Sequence, residues 1–200
     1  MQLSDTGERY GLTPRLLHWT TVILVVVAWT LGTFGDDFPE GLARATALFI
    51  HISAGLLILI ALVMRLAWRM VEPPPPPEPN EFGRWLGAFA DPAARLAHYT
   101  LYALLIAVPI AGIVSQFARG NALPLFGIGE IPSPWIRDRA FAHNVTEVHE
   151  ILANALVVVA SFHAAAALVH HFVFRDNTLA RMLPRGKAGA GKNSQNSNGE

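Results

Sequence analysis

The chain contains no cysteine. This excludes a disulfide framework, a cysteine-rich zinc site, an iron–sulfur cluster, thiolate-ligated haem and haem attached through C-x-x-C-H. Any metal chemistry therefore falls to eight histidines and to carboxylates. Charge is also scarce: Asp, Glu, Lys and Arg make up 15% of the residues, against about 25% in an ordinary globular domain. Fifteen basic residues balance fifteen acidic ones, so no net field draws in nucleic acid. Hydrophobic residues reach 52% and the mean hydropathy is +0.35, so much of the surface faces something other than water.

What the chain does have is long uncharged runs. Leu16–Phe34, Ala45–Met64, Leu96–Ala118 and Ile151–Phe174 hold 19, 20, 23 and 24 residues without a single Asp, Glu, Lys or Arg. A bilayer core about 30 Å thick is crossed by ~20 apolar residues as helix, so each run can span it. The expectation is an all-α membrane protein, a bundle of four transmembrane helices. The first run exceeds the usual apolar stretch of a signal peptide and is followed by no A-x-A-like site, so it reads as a retained helix.

Four spans put both termini on one side. Eleven basic residues then fall on the side of the termini and four (Arg44, Arg119, Arg137, Arg139) opposite. The positive-inside rule makes the termini cytoplasmic and the multi-pass order in–out–out–in. Residues 1–185 form the bundle and its connections, and 186–200 read as a polar, disordered tail. The proline-rich stretch 73–79 reads as an extended spacer on the inner side. Pro109 is expected to bend helix three.

Six of the histidines lie inside the runs: His18, His51, His98, His163, His170 and His171. His149 stands two residues before the fourth run and His143 lies in the outer loop. Ionisable groups at membrane depth are costly, so they face the bundle interior and act there. Without cysteine or an intramembrane carboxylate, a hydrophobic bundle offering pairs of neutral imidazoles suits bis-histidine haem b.

Depth narrows the pairs. If helix two enters near Ala45 and helix four near Asn144, His51 lies ~9 Å and His149 ~7 Å below their starts, a match for one iron near the outer face. From His149 to His163 the helix rises about 21 Å and turns ~1400°, leaving ~40° of offset, so one face of helix four carries two stacked candidates. His18, near the inner end of helix one, is the natural partner for the deeper position. Depth alone leaves that position open among His163, His170 and His98. Small residues, Ala153, Ala155, Ala160, Ser161 and Gly55 among them, leave room for a flat macrocycle.

The segments LLHW (16–19), FIHISAGLLIL (49–59), LAHYTLYALLIAVPIAG (96–112), RGN (119–121), EVHEILANAL (147–156) and SFHAAAALVHHFVFRDNTLARMLP (161–184) resemble the bacterial cytochrome b561 family, in particular its superoxide oxidase members. The resemblance runs from about residue 9 to 184, and the HHFVFRDNTLARMLP run is its most specific part. It implies a place in the bacterial inner membrane and two non-covalent b haems, His51 and His149 ligating the outer iron and His18 and His163 the inner one. It implies oxidation of superoxide at the outer surface and reduction of ubiquinone by the inner haem, which nominates His170, and with it Trp19 and His171, for the quinone site. Arg44, Arg119, Arg137, Arg139 and His143 would then form a positive funnel for the anion, set against several acidic residues on the same side.

Two other functions fit the same sequence. One is a cytochrome b anchor subunit that passes electrons from a partner dehydrogenase or hydrogenase to quinone. The other is a haem-free ion or proton channel or transporter. A partner redox subunit or a second copy of the chain is compatible with each.

Overall fold

The computed structural model describes residues 10–72 and 90–183. The proline-rich stretch 73–79 and the tail 186–200 lie outside them. Four helices carry the chain: α1 (Leu12–Phe34), α2 (Leu42–Val71), α3 (Ala90–Ala118) and α4 (Arg139–Phe172). All four are long and apolar enough to cross a membrane. In lipid an unpaired backbone amide has no water to turn to, so runs rich in β-branched residues, such as Val22–Val27, still close into helix.

The helix ends follow local chemistry. Pro14 sits in the first turn of α1, where its missing N–H would have had no partner. The residue before a proline is driven from helical geometry, and Glu72, which precedes Pro73, is extended (φ −131°) and closes α2. At the end of α3, Gly120 (φ +75°) donates its N–H to Phe117 O and Asn121 donates to Gln116 O, the paired bonds of a Schellman cap. Asp138 caps α4, its carboxylate accepting from Phe141 N at 3.0 Å. α3 continues through Pro109.

Between α3 and α4 the chain forms a small antiparallel hairpin, β1 (Leu123–Pro124) against β2 (Glu130–Ile131). This end of the molecule is the hairpin end; the opposite one, near residues 12 and 172, is the terminal end.

α1 packs on α2, α3 on α4, and the two pairs join along α2 and α3, while α1 and α4 hardly touch. The core is a thin apolar layer of Ile58, Leu62, Leu105 and Leu156, flanked by Leu24, Val25 and Leu101. Outside it, large apolar side chains face outward: Ile23, Val63 and Phe162 are 62%, 65% and 72% exposed. On a soluble protein such a surface would aggregate; on four spanning helices it is the lipid face.

Candidate functional site

Two tiers of histidines stand on either side of the apolar layer. Toward the hairpin end, His51 of α2 faces His149 of α4, with ring centroids 5.9 Å apart and planes at 85°. Both helices begin earlier than the loss of charge suggests, at Leu42 and Arg139. The two histidines are then nine and ten residues in, depths of about 14 and about 15 Å, so the match in depth holds from the true starts.

Each ring is held in the same way. Nδ1 of His51 lies 2.7 Å from the carbonyl of Ala28 on α1, and Nδ1 of His149 lies 2.9 Å from the carbonyl of Val108 on α3. A carbonyl only accepts, so each Nδ1 carries the proton and each neutral ring keeps its lone pair on Nε2. That is the tautomer a metal ligand requires, fixed by its second hydrogen bond. One helical turn on from each carbonyl is a glycine. A Cβ on Gly32 would stand 2.9 Å from His51 Cε1, and one on Gly112 would stand 3.1 Å from His149 Cε1.

Between the rings opens a cavity of about 560 Å³ lined by all four helices, with Gly55, Ala153 and Asn154 in its wall. The small residues leave it wide: a Cβ added at Gly55 meets no atom within 4 Å. Trp29 of α1 donates Nε1–H to Asn154 Oδ1 of α4 at 3.0 Å. Two imidazoles bound to opposite faces of one iron, each nitrogen ~2 Å from the metal, place their ring centres about 6 Å apart. Spacing, tautomer and cavity therefore fit a haem at this tier. Among the described residues no three His, Asp or Glu side chains gather closely enough to hold one metal ion by themselves.

Toward the terminal end the arrangement is less symmetric. His163 of α4 meets His98 of α3, with centroids 5.3 Å apart and planes at 70°. His18 of α1 lies within electrostatic reach of both His163 and His98, and its ring packs edge-on against Trp19 at 5.4 Å. Three histidines therefore share this level; of the candidates that depth left open, His163 and His98 stand together here, while His170 is bonded to Asp176. Arg65 of α2 is within reach of all three and rests over the ring of Tyr102 at 5.6 Å.

Beyond α4 the chain turns back under α1. Trp19 Nε1 donates to Met182 O at 2.9 Å and Arg15 to Leu183 O at 3.1 Å. His170 Nδ1 bonds Asp176 Oδ2 at 2.5 Å, with the two side chains only 15% and 8% exposed. Burial opposes charge on Asp176, yet bonds from His170 and Thr178 outweigh it and hold the carboxyl below its ordinary range. The His171 ring packs on Phe172 at 4.9 Å, and its Nδ1 is buried without a hydrogen-bond partner. His170 and Trp19 are thus tied to the same returning segment.

At the hairpin end, Arg44 and Arg119 line the main cavity. Arg119, Arg137, Arg139 and His143 line a smaller one of about 260 Å³, with Arg119 common to both. Arg44 is committed to the carbonyls of Asp36 and Phe38 at 2.6 and 3.3 Å, and Arg119 donates to Thr146 Oγ1 at 2.9 Å. His143 lies 3.3 Å from Glu147, which offsets part of the positive field.

Several participants escape sequence reasoning. Gly32, Gly112 and the carbonyls of Ala28 and Val108 are brought to the rings by packing between helices, and no local pattern marks them. Asp176 sits inside the HHFVFRDN run, where a carboxylate six residues after a histidine at a helix end was a usable signal.

Four membrane-crossing helices around opposed imidazoles suit a membrane b-type cytochrome. The model of the family described as prokaryotic cytochrome b561 matches residues 9–185. The chain belongs to that family. Cytochrome b561 homolog 2 of Escherichia coli (strain K12) is 33% identical over 193 residues, covering 96% of this chain and 100% of its own. The probable superoxide oxidase CybB of Yersinia pestis is 32% identical over 178 residues, 89% of this chain and 97% of its own. A probable Ni/Fe-hydrogenase 1 B-type cytochrome subunit of Escherichia coli (strain K12) is 37% identical, but over 65 residues and 28% of each chain. Family and spans together make this a bacterial membrane protein that binds b-type haem.

Proposed function

We propose that the protein is a di-haem superoxide:quinone oxidoreductase of the bacterial inner membrane. His51 and His149 hold one haem b at the hairpin end, which faces the periplasm, and His18 and His163 hold the second nearer the cytoplasm. The termini are cytoplasmic in this reading, which the excess of basic residues on their side supports. When bound, the haems supply one-electron chemistry at two depths, taking an electron from superoxide outside and giving it to ubiquinone inside.

The chain's own residues do the rest. Ala28 and Val108 fix the imidazole tautomers that leave Nε2 for iron. Ile58, Leu62, Leu105 and Leu156 keep water and ions out of the layer between the tiers. Arg119, shared by both hairpin-end cavities, and its neighbours Arg137, Arg139 and His143 draw a small anion toward the outer pair. His170, held by Asp176, forms the side of the quinone site together with Trp19 and His171.

The observation that carries this reading is the matched pair His51/His149, opposed at 5.9 Å with both Nδ1 atoms engaged. The near full-length similarity to a probable superoxide oxidase favours it over a hydrogenase anchor, whose relative is matched over 28% of the chain. The test is to add superoxide to the purified protein with ubiquinone present. Reduction of the bound haem followed by formation of quinol is the expected result. Haem that superoxide leaves oxidised, together with stable co-purification of a soluble redox subunit, would move the assignment to the anchor class. A protein that stays colourless with haem supplied would support a channel or transporter.

A further inference from the structure

The two hairpin-end rings are fixed by a construction that occurs twice. His51 bonds the Ala28 carbonyl and lies against Gly32, four residues later on the same helix. His149 bonds the Val108 carbonyl and lies against Gly112, again four residues later. In each case the carbonyl sets which way the ring edge points. The bare glycine then lets the neighbouring backbone close on Cε1, leaving the ring no room to swing that way. The supports stand on different helices, α1 for one ring and α3 for the other, and the resulting planes cross at 85°.

We propose that Gly32 and Gly112, with the carbonyls of Ala28 and Val108, are positioning residues that hold His51 and His149 perpendicular as axial ligands of the outer haem. This rests on the reading of those two histidines as its ligands. It assigns a property that ligand identity alone does not give.

The angle has an electronic consequence. Each imidazole π orbital perturbs the iron d orbital perpendicular to its own ring plane. Parallel rings act on the same d orbital and split the pair. Perpendicular rings act on one each and leave the pair nearly degenerate. Orbital angular momentum then survives in the low-spin ferric ion, and its largest g value rises well above that of a parallel pair.

The test is low-temperature EPR of the oxidised full-length protein with both haems bound, alongside His149→Ala, Gly32→Ala and Gly112→Ala. The expected spectrum contains a highly anisotropic low-spin signal that is absent in His149→Ala. In each glycine variant that signal shifts to lower g, because a Cβ at 2.9 or 3.1 Å from Cε1 forces the ring to turn. Total haem and the inner signal stay as they were. If His149→Ala loses one haem but the signal lost with it is of the parallel type, the proposal is overturned and the ligand assignment stands. If His149→Ala retains both haems, the assignment itself falls. Should a glycine variant fail to assemble, the wild-type and His149→Ala spectra still decide the angle.

Discussion

Trp29 Nε1 donates to Asn154 Oδ1 at 3.0 Å, bridging α1 and α4, the two outer helices that otherwise hardly meet. Both residues line the main cavity, so the bond spans one wall of it. A side-chain hydrogen bond is worth about 1 kcal/mol net, so it cannot hold the bundle together. Its place is local: it ties together two helices along one wall of the cavity.

Trp29→Phe keeps the aromatic bulk and removes the donor. The expected effect is a loss of about 1 kcal/mol in stability and faster release of haem from the hairpin-end tier. Haem dissociation into an acceptor protein measures it. An unchanged release rate would show that the bridge is incidental.

Gly55 faces the cavity but meets no protein atom within 4 Å of an added Cβ. Gly55→Leu is therefore expected to leave the helices intact and to exclude the macrocycle, lowering haem from two per chain toward one. Circular dichroism and haem quantitation together check it; full haem content in this variant would place the macrocycle elsewhere.

The terminal-end tier holds three histidines, and the proposal gives the iron to His18 and His163. His18→Ala should lose the inner haem, whereas His98→Ala should retain two haems. The reverse outcome would transfer the site to His98 and His163, whose rings stand 5.3 Å apart.

Much of this arrangement was legible in the sequence, and the gaps have physical causes. Loss of charge marks residence in lipid, not the extent of helix, so α2 runs on through Arg65 and Arg69 to Val71 and α4 starts at Arg139. Asp138, an N-cap residue six positions before the expected start at Asn144, was the overlooked signal. The stacking of His149 and His163 follows from helical periodicity. The pairing of His51 with His149 followed from depth, because two spans crossing one bilayer share a coordinate. The choice among His163, His170 and His98 for the deeper position did not follow, since depth along a helix does not give rotation about its axis, which is set by packing.

Asp176 gives a pH dependence of known sign. Its carboxyl lies below its ordinary range in the folded chain, so the stabilisation it supplies is complete above about pH 4, the unfolded value. It is lost as pH falls through the lowered native value. The chain has no cysteine, so Leu183→Cys takes a single spin label beside the Arg15 contact. The label should gain mobility on acidification, and Asp176→Asn should be mobile at neutral pH with no further change. A label equally immobile in both proteins would contradict the role given to the His170–Asp176 bond.

The central claim is that four histidines hold two b haems at two depths. Haem quantitation with reduced-minus-oxidised spectra, on the wild type and on His149→Ala, tests it most directly. The account predicts two low-spin b haems per chain in the wild type and one in the variant, with the inner spectrum preserved. A single haem in the wild type, or two unaltered low-spin spectra in His149→Ala, would contradict it.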